Sequence, residues 1–162
     1  MLISKELNDA INEQIGHELH ASHQYVNIAA SFEERALRIL AKMFYKQAEE
    51  EREHAMKFVR YLTQAGGQVA IPAVPAPRAA FATVEEAVQL SLDWEMEVTR
   101  RINALMDLAI QENDHIAQDF LRWFVTEQLE EVSTMDNLLK VVRQAGEKNL
   151  YMMEAYLSHK ED

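Results

Sequence analysis

Glu18, Glu51, Glu95 and Glu131 share a property that most carboxylates lack, since each falls on or beside the apolar stripe of a helical segment. A fifth residue, His54, follows Glu51 in the run Glu51-Arg52-Glu53-His54. Taken singly, a glutamate on a helix is most simply a solvated group, and E-x-x-H arises often by accident. Taken together, four carboxylates and one imidazole, with no thiolate, make a hard, oxygen-rich set that suits iron or manganese. The set fits two bridged divalent metals better than one. An ionised carboxylate buried without a partner costs several kcal/mol, and four near one level of a fold would also repel one another. Something positive must therefore offset them.

Such a meeting requires four helices that bring one carboxylate each. Apart from one stretch that holds all three prolines, Gly66-Gly67-Gln68-Val69-Ala70-Ile71-Pro72-Ala73-Val74-Pro75-Ala76-Pro77, the chain reads at helical period. The spacing predicts helices over about 4–32, 37–64, 84–111 and 116–144, with a short amphipathic piece from Glu147 to about Leu157. Ser4 and Thr83 are expected N-caps, the latter with Glu86 three residues on, and Gly66-Gly67 and Gly146 are expected stops. Each long helix would span about 42 Å at 1.5 Å per residue. Two short links flanking one long one match an up-down pair, a crossover running the length of the bundle, and a second pair.

Helical wheels sort the charges. On the first helix Leu7, Ile11, Ile15, Leu19, Val26 and Ala29 define an apolar arc that takes in Glu18, with Tyr25 seven residues on. On the second, Leu37, Leu40, Phe44, Ala48, Ala55, Phe58 and Leu62 define it, with Glu51 inside and His54 at its margin. Ala87, Trp94, Val98, Ile102 and Leu105 set the buried side of the third, with Glu95 towards one edge. Phe120, Phe124, Met135, Leu138 and Val142 set that of the fourth, with Glu131 inside and Gln128 at one edge. His17, His20, His23, His115 and His159 are expected at the surface or in loops, and the methionines as core filling.

A chain of 162 residues with 48% apolar content is expected to fold as one domain, 1–162, around a sizeable core. The absence of cysteine excludes a disulfide framework and Cys-ligated zinc or iron–sulfur sites, and points to a reducing, cytoplasmic compartment. No apolar leader or membrane-length stretch is visible, so a soluble, unprocessed protein with no membrane partner is expected. Asp and Glu outnumber Lys and Arg by 27 to 16, a net charge of −11 that argues against a nucleic-acid surface and is compatible with gathering cations.

With Glu18, Tyr25, Glu51-x-x-His54, Glu95 and the segment Trp123-Phe124-Val125-Thr126-Glu127-Gln128-Leu129-Glu130-Glu131 in place, the chain resembles the bacterial non-haem ferritins over nearly its whole length. The resemblance implies an all-α, ferritin-like four-helix bundle with a long crossover between the second and third helices and a short fifth C-terminal helix. It implies iron storage in a homo-oligomeric, hollow 24-subunit shell, with oxidation of Fe(II) to Fe(III) by O2 or H2O2 at a di-iron centre. By this likeness Glu18, Glu51 and His54 hold one iron and Glu51, Glu95 and Glu131 the other, with Glu51 bridging and Gln128 beside them as a hydrogen-bonding group. A third, weaker iron position maps onto Glu50, Glu127, Glu130 and Glu131, and the wheels place the first three at the rims of the apolar arcs. Tyr25 and Trp123 are candidate donors of an extra electron.

Two departures limit the likeness. Bacterioferritins carry a second E-x-x-H on the fourth helix and a haem-binding methionine after the bridging glutamate. Here those positions read Gln128-x-x-Glu131 and Arg52, so no haem is expected. Animal ferritins line their entry channel with acids ten and seven residues before the fourth-helix glutamine. Here these are Gln118 and Leu121, with Asp114 and Asp119 nearby, so that route does not carry over. The alternatives are a di-iron oxygenase or peroxidase of the same fold, which would want a substrate pocket and usually a second E-x-x-H, and a shell subunit without catalysis.

Overall fold

The computed structural model describes residues 2–160 and contains five α-helices: α1 (Lys5–Glu34), α2 (Arg38–Gln64), α3 (Val84–Gln111), α4 (His115–Ala145) and α5 (Leu150–Ser158). The ends of the four long helices lie within two residues of the positions expected from the sequence, whereas α5 begins three residues late. Both expected caps form: the Leu7 N–H donates to Ser4 Oγ at 3.0 Å and the Glu86 N–H to Thr83 Oγ1 at 3.1 Å. Asp114, noted above for its proximity to a channel position, caps α4 by accepting from the Ala117 N–H at 2.9 Å. No helix of the described residues is long and apolar enough to cross a membrane.

α1 packs along α2, α3 along α4, and α1 against α3. The short links turn through left-handed residues, Ala36 (φ 59°) between α1 and α2 and Asn113 (φ 56°) between α3 and α4. Asparagine tolerates that region, whereas alanine occupies it at a steric cost, and no glycine marks the first turn. The crossover lies along α1, tied to a row of amides. Asn8 Oδ1 accepts from the Gln68 N–H (2.8 Å), Asn12 Oδ1 from the Ala70 N–H (2.7 Å) and Gln24 Oε1 from the Arg78 N–H (2.9 Å). Gly16 permits the close approach, because a Cβ there would stand 2.6 Å from the Pro72 ring.

The apolar core is divided in two. One half gathers Tyr25, Phe32, Leu40, Phe44, Met135 and Leu139, the other Leu7, Ile11, Phe58, Ile102, Leu121 and Phe124. Between them lies a buried polar layer with Glu18 and Ser22 from α1, Gln47 and Glu51 from α2, Ser91 and Glu95 from α3, and Gln128 and Glu131 from α4. The wheels are corrected at several positions. Val26, expected inside the first arc, is exposed, and Leu19, Trp94 and Phe120 are half-buried. His17 and His20, expected at the surface, are half-buried too: His17 meets Arg101 and His20 stands edge-on to Trp94 at 4.6 Å.

α5 packs on α4 and α2 and completes α2 chemically. Leu37, at the N-cap of α2, offers no side-chain acceptor, and the buried Glu154 carboxylate takes the Ile39 and Leu40 N–H groups instead, at 2.7 and 2.9 Å. Glu154→Ala should therefore raise amide hydrogen exchange at Ile39 and Leu40 by about fivefold, the equivalent of losing about 1 kcal/mol of capping. Unchanged exchange there would show that the cap contributes nothing.

Candidate metal centre

Every carboxylate singled out in the sequence for the core is buried at the level of the polar layer: Glu18 is 1% exposed, Glu51 1%, Glu95 0% and Glu131 5%, with His54 at 4%. Their ligand atoms fall into two overlapping groups within metal-binding reach, Glu18–Glu51–His54 and Glu51–Glu95–Glu131. Glu51 belongs to both. His54 Nδ1 stands 3.4 Å from Glu51 Oε2 and 4.0 Å from Glu18 Oε2.

Hydrogen bonds orient the remaining lone pairs. Tyr25 donates its hydroxyl to Glu95 Oε1, and Gln128 Nε2 donates to Glu95 Oε2 at 3.2 Å. Two further donors, Gln14 and Gln47, were not singled out from the sequence. Gln14 Nε2 donates to Glu18 Oε1 at 2.9 Å, and Gln47 Nε2 bridges Glu51 Oε1 (3.0 Å) and Glu131 Oε2 (2.5 Å). Each sits four residues before the carboxylate it serves on its own helix. An amide at i−4 from a core glutamate is the signal that could have found them.

Two observations bear on whether a cation fits. Glu18 Oε2 is buried with no hydrogen-bond partner among the described residues, which leaves a lone pair that a cation could take. The carboxyls are also held well away from their ordinary acidity. Burial, reinforced by neighbouring carboxylates, pushes Glu18 and Glu51 well above the usual range, and burial raises Glu95. Glu131 is pushed up to about 8, by burial first and then by the Glu95 carboxylate. Without metal, burial and mutual repulsion thus favour the protonated form of these acids. Two divalent cations would supply the charge that lets them ionise, and carboxylates with one imidazole are the donors iron takes.

A sign follows for the metal-free protein. A carboxyl raised in the folded state binds more protons than in the unfolded chain, so its contribution to stability is present below pH 4.5 and is lost as pH rises to about 8. The melting midpoint of metal-free protein should fall across that window. Glu131→Gln should flatten the fall, because a neutral amide removes the ionisation. A midpoint that rose through the same window would contradict the assignment of protonated carboxyls.

The residues expected at a third position line a cavity of about 280 Å³ on the α2/α4 face, where Glu50, Glu127, Glu130 and Glu131 meet Lys42 and Lys46. Glu130 is exposed, Glu50 and Glu127 half-buried. The group within metal-binding reach there is His54–Glu127–Glu131, so the structure does not draw Glu50 and Glu130 into the same cluster. Trp123, partly exposed, stands edge-on to His54 at 5.4 Å, with Lys57 Nζ 3.0 Å from its ring centroid.

Comparison with known proteins places this geometry in a family context. Residues 8–145 match the Ferritin-like domain family. Ferritin BfrB of Mycolicibacterium smegmatis is 41% identical over 148 residues, covering 91% of this chain and 81% of that protein. The bacterial non-heme ferritin of Staphylococcus saprophyticus is 34% identical, covering 97% of this chain and 95% of its own. Among solved structures, the open pore ferritin of the archaeon Archaeoglobus fulgidus superimposes with a TM-score of 0.93 at 31% identity, with 97% of each chain covered.

Proposed function

The chain belongs to the ferritin family, and from that premise we propose that it stores iron by oxidising Fe(II) at the buried carboxylate layer and depositing Fe(III) inside a shell of 24 copies. The observation that carries this reading is the overlap of the two ligand groups at Glu51, since one shared carboxylate between two cation positions is the arrangement a bridged pair needs. Glu18, Glu51 and His54 take one Fe(II); Glu51, Glu95 and Glu131 take the other. As the irons arrive, the carboxyls that burial keeps protonated release their protons. Gln14, Gln47, Gln128 and Tyr25 hold the carboxylates in place while these change between terminal and bridging modes.

Each Fe(II) gives up one electron. The pair reduces O2 to H2O2 with two protons, or H2O2 to two waters with two protons. Carboxylates favour this direction because they stabilise Fe(III) more than Fe(II). One imidazole among four carboxylates makes a centre that lets its product go, as storage demands. The product passes to Glu50, Glu127 and Glu130 at the α2/α4 face, a third position with weaker affinity because it is hydrated. Exposed apolar residues such as Val26, Leu129, Tyr151 and Met152 are the groups that subunit contacts in a shell would cover. The absence of cysteine supports a cytoplasmic location.

The test joins two measurements. Anaerobic titration should saturate at two Fe(II) per subunit, and air should then produce a fast absorbance rise and soluble ferric mineral inside a particle of 24-subunit mass. Retention of both irons through repeated turnover would favour an oxygenase or peroxidase, and a shell that never oxidised iron would favour a scaffold subunit. A stable monomer or a twelve-subunit particle would contradict the assembly.

A further inference from the structure

A second cavity, of about 370 Å³, opens between α1 and α3. Ala10, Ala104, Leu105 and Leu108 give it an apolar lining, and the buried Gln14 lines it as well. That glutamine is 2% exposed, and its amide donates to Glu18 Oε1 at 2.9 Å. Glu18 lies one helical turn farther along α1 and carries the unpartnered buried oxygen Oε2. One amide side chain therefore separates this cavity from the carboxylate layer.

The two approaches to the layer differ in charge. The α2/α4 cavity presents four glutamates against two lysines, an excess of negative charge that concentrates cations. The α1/α3 cavity presents Glu13 and His17 with Arg100 and Arg101, His17 standing against Arg101. Glu97 engages both guanidiniums, Arg100 through bonds of 2.8 and 2.6 Å and Arg101 at 2.8 Å. Counted with Glu97, the rim is balanced, so it offers a dication no net attraction. An apolar, charge-balanced recess suits a small neutral molecule.

We propose that the α1/α3 cavity is the port through which dioxygen reaches the centre, with Gln14 as its gate, while iron uses the acidic α2/α4 side. The two reactants then arrive from opposite sides of the layer. Gln14 opens by rotation of its side chain, a motion fast enough not to limit turnover. The proposal rests on the ferroxidase reading above, and the experiment separates the two.

Ala104→Trp fills the cavity from an exposed position on α3 and leaves Glu18 and Gln14 themselves unsubstituted, and Leu108→Phe fills it from one turn farther along the same helix should the first variant fail to assemble. Each variant is loaded anaerobically with two Fe(II) per subunit, the binding isotherm recorded, and the complex mixed with increasing O2 in stopped flow. Oxidation and release of two bound Fe(II) per subunit by the parent protein uphold the ferroxidase reading whatever the filled variants show. The expected result is an unchanged Fe(II) isotherm with the slope of rate against O2 concentration lowered about fivefold or more. Mixing with H2O2 instead shows whether the port serves both oxidants, by a parallel loss, or O2 alone, by an unchanged slope. An unchanged O2 slope in filled variants that bind two irons overturns the proposal. So does an equal slowing of Fe(II) binding, which would make the cavity an iron route.

Discussion

Glu51→Ala abolishes the fast phase of Fe(II) oxidation, lowering its rate by about a hundredfold or more, because it removes the only carboxylate shared by the two ligand groups. His54→Ala is milder. It strips one ligand from the Glu18 group and leaves the Glu51–Glu95–Glu131 group complete, so one Fe(II) per subunit still binds weakly. The fold survives both changes, since the two halves of the apolar core on either side of the layer are left intact. Gln47, the bridging amide, keeps Glu131 as a partner when Glu51 is lost. Stopped-flow oxidation at two irons per subunit, with circular dichroism on the same samples, reads both claims. A Glu51→Ala protein that oxidised iron at the parent rate would remove Glu51 from the centre.

The second large effect separates two adjacent residues. Glu131→Ala slows the first oxidation phase severely, because Glu131 is buried and belongs to the Glu51–Glu95 group as well as to the group with His54 and Glu127. Glu130→Ala leaves that phase nearly intact and acts later. Its side chain is exposed at the α2/α4 cavity, so its loss would take away a ligand of the proposed third position and should slow turnover on repeated iron additions. Measuring the first addition and the fifth on both variants distinguishes the roles. Equal damage to the first phase would place Glu130 in the centre and dissolve the division between buried layer and hydrated rim.

Much of this was legible in the sequence because it depends on short-range periodicity. Ser4 and Thr83 cap their helices through a hydrogen bond three residues away, and the proline-rich stretch between Gly66 and Pro77 could only be a connection. The errors arose where a partner far along the chain decides. Val26 fits the α1 stripe by angle yet faces outward, because no other described helix covers that part of α1. Asn8, Asn12 and Gln24 look like solvated residues and are instead anchors for a crossover 54 to 60 residues away. Ala36 takes a left-handed conformation that no residue type at that position advertises. Glu154 caps a helix that begins more than a hundred residues earlier.

The sequence by itself determined that four helices each carry one carboxylate on or beside the apolar face, with His54 one turn from Glu51, because 3.6 residues per turn fixes which side chains share a face without reference to any neighbour. Only the tertiary structure decided that those carboxylates lie at one level, that Glu51 stands between two ligand groups, and that Gln14 and Gln47 aim their amides at the acids beside them. Those facts depend on how far each helix slides along its neighbour and on which rotamers the packed core leaves open. The acidity of the layer belongs to the same category: Glu131 is an ordinary carboxylic acid in the chain, and it is pushed up to about 8 because folding removes its water and brings Glu95 beside it.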